Sequence, residues 1–193
     1  MSDNTRNTKQ HFFALSPGGA VSPHLEKVRA EAHRVTRDLS PDDWLHSPAG
    51  KWSASQILEH LLLTFTATTK GTLKTMQAGS PFCREATWRD RAGRFYVLGL
   101  GRIPGGLKAA RNITPREGLS GNNLRAFNDA LVAMDATLTD AERRFGRKTR
   151  ILDHPMLGPL TAEQWRRFHL VHARHHFRQI ATRQFGMQHA GAA

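Results

Sequence analysis

Four stretches of this chain repeat apolar residues at the 3.6-residue period of a helix, and none alternates convincingly at the two-residue period of a strand. The first stretch opens at Ser22-Pro23 and carries Leu25, Val28, Ala32, Val35 and Leu39 on one face. The second follows a turn-rich linker, "SPDDWLHSPAGKW". Ser53 stands as its N-cap, Gln56 completes a capping box, and Ile57, Leu58, Leu61, Leu62 and Phe65 form its stripe. The third covers residues 121–146 with Leu124, Phe127, Leu131, Met134, Leu138 and Phe145; the fourth runs from Ala162 to Phe185, with Leu160 or Thr161 at its start. Four amphipathic helices in one chain have a simple way to bury their stripes, which is against one another. The expected fold class is therefore all-α, a four-helix bundle with a long crossover between its second and third helices.

The chain length of 193 residues suits one domain. It is expected over residues 22–186, with a flexible segment at 1–21 and a flexible tail at 187–193. Residues 78–120 stand apart from the helical scheme. "GRFYVLGLGRIPGG" is glycine-rich, and its "FYVLGL" suits a short strand or a buried helical turn equally. A crossover of this length forms the wall or lid of a site in some folds and is a passive connection in others. "GRIPGG" lacks the Gly-Lys-Ser/Thr ending of a phosphate loop.

Charge and cysteine content exclude several functions. Lys and Arg number 28 against 16 acidic residues, a formal charge of +12. The basic residues are dispersed, with no run of five or six and no interleaved aromatics, so specific nucleic-acid binding is not expected. The single cysteine, Cys83, excludes an internal disulfide and reads as a free structural thiol. No apolar run approaches the ~18 residues of a membrane span, and the N-terminus lacks a secretory core. No membrane partner is expected, and the default location is cytoplasmic.

Four of the eleven histidines fall within residues 169–180, "HLVHARHHFRQI". At ~100° per residue, Trp165, Phe168, His169, His172, His176, Gln179 and Ile180 share one side of the fourth helix. His172 and His176 sit in mid-stripe, where a bundle normally places Leu or Phe. Imidazoles at i and i+4 have Cβ atoms about 5–6 Å apart and can share one ion. His169 with His172 is an alternative inward pair, and buried hydrogen-bonded histidines without metal are a third reading. A third ligand would have to come from another helix. His60, beside the stripe of the second helix, is the best candidate.

"KWSASQILEHL" and the distant "HPMLGPLTAEQWRRFHLVHARHHFRQI" together resemble the DinB-like superfamily of four-helix bundles, which is grouped with YfiT-type and mycothiol-dependent proteins. The resemblance lies in Trp52 with His60 eight residues later, and in His172, His176, Gln179 and Ile180 near the C-terminus. It implies that His60, His172 and His176 are a metal triad for a divalent ion (zinc, nickel or iron). It also implies a thiol S-transferase, isomerase or hydrolase acting on a small molecule, with a low-molecular-weight thiol as cosubstrate. The alternative is a non-catalytic metal-binding or dimeric interaction bundle; a homodimer is expected in either case. His169 and His175 become neighbours of the triad. Gln179 is placed to orient a ligand, and Glu59 reads as a surface charge. Arg102, Lys108 and Arg111 are candidate anion contacts. Trp52, Trp88 and Trp165 read as packing residues, Trp44 as packing the linker onto the bundle end, and His154 as a loop residue.

Overall fold

The computed structural model describes residues 20–47, 49–106, 108–116 and 124–190. The flexible segment expected at the N-terminus lies, as far as residue 19, outside the described residues, as do residues 191–193 of the expected tail. Four long helices, α1 (Pro23–Thr36), α3 (Ala54–Ala78), α5 (Leu124–Phe145) and α6 (Ala162–Ala190), pack side by side as the periodicity requires. α1 lies along α6 and α3 along α5. Leu25, Val28, Ile57, Leu58, Leu61, Phe65, Phe127, Leu131, Met134 and Leu138 are fully buried between them. α6 continues beyond the Phe185 expected from the sequence.

Helix ends follow local chemistry. Ser53 and Gln56 exchange both hydrogen bonds of a capping box at the start of α3, and Gly79 ends the helix at φ 78°. Thr161 and Gln164 make the same reciprocal pair at the start of α6. The linker after α1 holds a short helix, α2 (Pro41–Leu45), capped by Ser40 and Asp43, and its Trp44 packs against the core.

The crossover holds three short helical pieces among its described residues. α4 (Trp88–Arg94) is capped by Thr87 and Asp90 and runs directly into a π-helical turn over Phe95–Gly99. "FYVLGL" is thus the helical alternative, with Val97 and Leu98 buried. Trp88 departs from its expected packing role. It is 73% exposed, with the Arg89 guanidinium over its ring, because α4 turns Asp90 inward and the π-helical turn buries Val97 and Leu98.

A hairpin that the sequence reading did not anticipate joins α5 to α6. β1 (Arg150–His154) pairs antiparallel with β2 (Gly158–Thr161), with a bulge between Arg150 and Leu152. These strands are too short for a period-two pattern to show. Two close approaches place the hairpin. Leu152 occupies the space a Cβ would need at Gly71 of α3, at 2.8 Å. Gly158, at φ +66°, leaves room for Asp90, whose Cγ would stand 2.7 Å from a Cβ there. Asp90 is itself held by Arg84 at 2.6 and 2.8 Å. Cys83 donates to the Arg150 carbonyl at 3.4 Å, and burial followed by the Asp153 charge pushes its thiol pKa up. Both observations suit an inert thiol.

A buried ion network locks three helices together. Arg166 on α6 donates to Asp135 at 2.7 Å, Glu142 at 2.8 Å and the Thr139 hydroxyl at 2.8 Å, all on α5. Asp135 also accepts the Ser22 backbone N–H at the start of α1. Removing one member strands the others' charge away from water. Asp135→Ala is expected to lower unfolding free energy by about 3 kcal/mol, read by denaturant titration, without loss of helical content in the folded state.

Candidate metal centre

The site forms where α3 and α6 face each other and the end of the crossover covers them. The capping box at Ser53 fixes the start of α3 and so turns His60, 3% exposed, toward α6. Its Nδ1–H donates to the carbonyl of Ile113 at 2.7 Å. Ile113 belongs to a 3-10 turn, Arg111–Ile113, at the end of the crossover. The His60 Nε2 therefore carries a lone pair, and it points at His172 Nε2, 3.2 Å away. On α6, one turn on, His176 donates its Nδ1–H to Gln179 Oε1 at 3.1 Å, which again leaves Nε2 unprotonated. That nitrogen lies 3.2 Å from the same His172 Nε2.

Aromatic rings wall the cluster. Trp52 stands 4.9 Å from the His60 ring and stacks on His176 at 6.1 Å. Phe168 stacks on His172 at 5.3 Å, nearly parallel at 13°. Burial lowers the pKa of His60, although its bond to Ile113 opposes the shift. Burial first, and then the neighbouring His176 and His60, hold His172 well below the ordinary 6.5. Both rings are neutral at pH 7, the state in which imidazole ligates metal.

The donor set fits a divalent ion. Two Nε2 lone pairs converge on a third nitrogen, and a single proton on His172 Nε2 would satisfy at most one of them. At about 2.0–2.1 Å per bond, tetrahedral ligand nitrogens stand about 3.3 Å apart. Two of the three separations here are 3.2 Å, and all three ligand atoms lie within 4.8 Å of one another. Ile113 and Gln179 occupy the outer nitrogens of His60 and His176, an arrangement that fixes ring orientation in metal sites.

The sequence family can now be placed. The family model of the DinB superfamily matches residues 24–180, most of the chain. The chain belongs to the DinB superfamily. No curated protein and no solved structure gives a match. The matched span of this DinB-superfamily protein contains all three histidines of the cluster.

The remaining candidates sort by position. His169 faces inward too, but one layer away. Its Nε2–H donates to the Thr68 hydroxyl at 3.0 Å, which in turn donates to the Thr64 carbonyl at 3.1 Å. The inward pair that meets His60 is therefore His172 with His176. His175 is half-buried and accepts from Gln179 Nε2 at 3.2 Å, so Gln179 bridges the two adjacent histidines. Trp165 is buried and donates to the Leu152 carbonyl at 3.3 Å. Arg102, Lys108 and Arg111 are exposed along the crossover.

Two readings need correction. Glu59 is no surface charge: it is 6% exposed, and its carboxylate accepts the Arg116 N–H at 2.9 Å. The helical wheel turned it away from His60 correctly, but the crossover covers that side. His154 is no free loop residue. It ends β1, accepts the N–H groups of Met156 (3.1 Å) and Leu157 (3.2 Å), and packs on Phe168 at 4.4 Å. The only local signal for it was the following Pro155, which read as a loop.

His154 and His169 are expected to make stability fall in acid. Burial lowers His154 to about 4, and burial followed by the nearby His154 lowers His169 to about 3, both from 6.5. The unfolded chain takes up these protons first, so stability present above pH 6.5 is lost as pH falls toward the folded values. The melting temperature of chelator-treated protein is expected to fall steadily between pH 6.5 and 4. His154→Leu should flatten part of that decline.

Proposed function

We propose that His60, His172 and His176 hold one divalent ion, zinc, nickel or iron, and that the protein acts through it on a small molecule. The observation that carries this reading is the convergence of three imidazole nitrogens with too few protons to satisfy one another. An ion held by three neutral imidazoles keeps a position open and makes a bound water or thiol a stronger acid. Family membership supports thiol S-transfer, isomerisation or hydrolysis with a low-molecular-weight thiol as cosubstrate. The cytoplasm, where thiols are kept reduced, suits that chemistry.

The protein's own residues have definable parts in this reading. Ile113 and Gln179 hold protons on the outer nitrogens of His60 and His176 and so aim both Nε2 atoms at one point. Trp52 and Phe168 shield the cluster from water on two sides. Arg111, exposed at the start of the turn that carries Ile113, is the cation we assign to a substrate carboxylate.

A second reading, a non-catalytic interaction bundle, draws on one feature. Trp88, Ala92, Phe95 and Gly99 are spaced four, three and four residues apart along α4 and the π-helical turn, and all are exposed. Tyr96 and Leu100 flank them. Large exposed aromatics in one row are uncommon on monomers. In a homodimer this row is the surface we assign to the interface. No helix among the described residues is long and apolar enough to cross a membrane.

Protein purified without a histidine tag is expected to carry about one equivalent of metal, and His176→Ala prepared identically should carry none. Wild-type protein that stays folded yet refuses added zinc, nickel and iron would end the metal reading. Separately, a Trp88→Ser/Phe95→Ser double variant should elute as a monomer with unchanged metal content, beside a dimeric wild type.

A further inference from the structure

We infer that Glu59 is a positioning residue for the metal site, holding the strap of chain that sets the protonation of His60; the inference rests on the metal reading above. Glu59 and His60 are consecutive on α3, yet both reach the same short strap. His60 Nδ1 donates to Ile113 at 2.7 Å, and Glu59 accepts from the Arg116 N–H at 2.9 Å. The strap is stiff between these anchors. The Ile113 N–H donates to the Ala110 carbonyl at 3.0 Å and the Thr114 hydroxyl donates to the same carbonyl at 3.0 Å. Thr114 sits at φ −76° and ψ 127°, the extended conformation that the following Pro115 imposes. Pro115 locks its own φ as well. Fixing Arg116 therefore fixes the Ile113 carbonyl three residues earlier.

That carbonyl decides which His60 nitrogen carries the proton. With Nδ1–H engaged, Nε2 faces His172 and His176 as an acceptor. Were the carbonyl withdrawn, the ring could place its proton on Nε2 or turn away, and the three-nitrogen arrangement would lose a member. A carboxylate at 6% exposure is costly unless its charge is used. Here the carboxylate oxygen is used as the acceptor that anchors the Arg116 N–H. Glu59 thus acts through the strap and His60.

The test compares zinc affinity, by competition with a chromophoric chelator, with amide exchange at residues 111–116 in metal-free protein. Glu59→Ala is expected to speed exchange of the Arg116 amide and to weaken zinc about 10–100-fold. Glu59→Gln keeps an acceptor oxygen and should stay within about threefold of wild type. Pro115→Gly leaves both anchors but softens the link between them. It should weaken zinc measurably, and it carries the test if Glu59→Ala fails to fold. Unchanged zinc affinity in Glu59→Ala despite faster exchange would overturn the proposal. Equal weakening in Glu59→Ala and Glu59→Gln would overturn it too, because charge alone would then be responsible, and so would an unchanged Pro115→Gly. Each of these results leaves the metal reading standing. Wild-type protein that stays folded and binds none of zinc, nickel and iron would end both.

Discussion

Three imidazoles occupy a space that a helical bundle ordinarily fills with Leu and Phe, and each must be kept neutral with its Nε2 directed at the same point. Much of the local structure answers that requirement. The Ile113 carbonyl holds the proton on the far side of His60, and Gln179 does the same for His176. Trp52 and Phe168 close the sides, and burial keeps His60 and His172 uncharged. A hydrophobic core of the same volume would be more stable, because three polar rings whose lone pairs face one another add nothing to packing. Their retention makes sense when something is bound between them.

The rest of the bundle supplies rigidity for this arrangement. The Arg166 network pins α6 to α5 and to the start of α1, so the helix that carries His172 and His176 cannot slide along its neighbours. Arg174 adds a second tie, to Glu31 of α1. Beneath the cluster lies a second polar layer, His169 with Thr68 and His154 with the backbone of its own hairpin. That layer is hydrogen-bonded only in part, since His169 Nδ1 has no partner among the described residues; in the cluster above it, His172 Nδ1 has none either. The crossover then folds over the site from the third side, and this is where a glycine-rich connection acquires a role. Its 3-10 turn brings a carbonyl to His60, and its next residues bring a backbone N–H to Glu59.

The parts legible in the sequence are those set by neighbours along the chain. The capping box at Ser53, the start of α6 near Thr161, the stripes of α3 and α5, and the placement of His172 and His176 one turn apart all follow from local spacing. The parts that escaped depend on what lies opposite. Glu59 was read as exposed because its own helix turns it away from the stripe, and only the strap from residue 116 buries it. His154 was read as a loop residue because Pro155 follows it, while its burial comes from Phe168 and Trp165 on another element. Trp88 was read as core because tryptophan usually is, and the geometry of α4 leaves it outside. The hairpin of β1 and β2 is held by Gly71 and Gly158, whose missing side chains matter only against Leu152 and Asp90.

By itself the sequence determined four amphipathic helices, the capping box of the second, and a histidine-bearing inward face on the last, with two candidate pairs on it. Helical period and i,i+4 spacing are properties of a single segment and need no knowledge of the partner. Only the tertiary structure decided that His60 meets the pair His172 and His176 across 112 residues, and that Ile113 reaches back 53 residues to hold its proton. It also decided that a carboxylate is buried beside His60. Those contacts depend on how helices dock and how a crossover drapes over them, and distances of that kind are set by packing, for which a local pattern carries no signal.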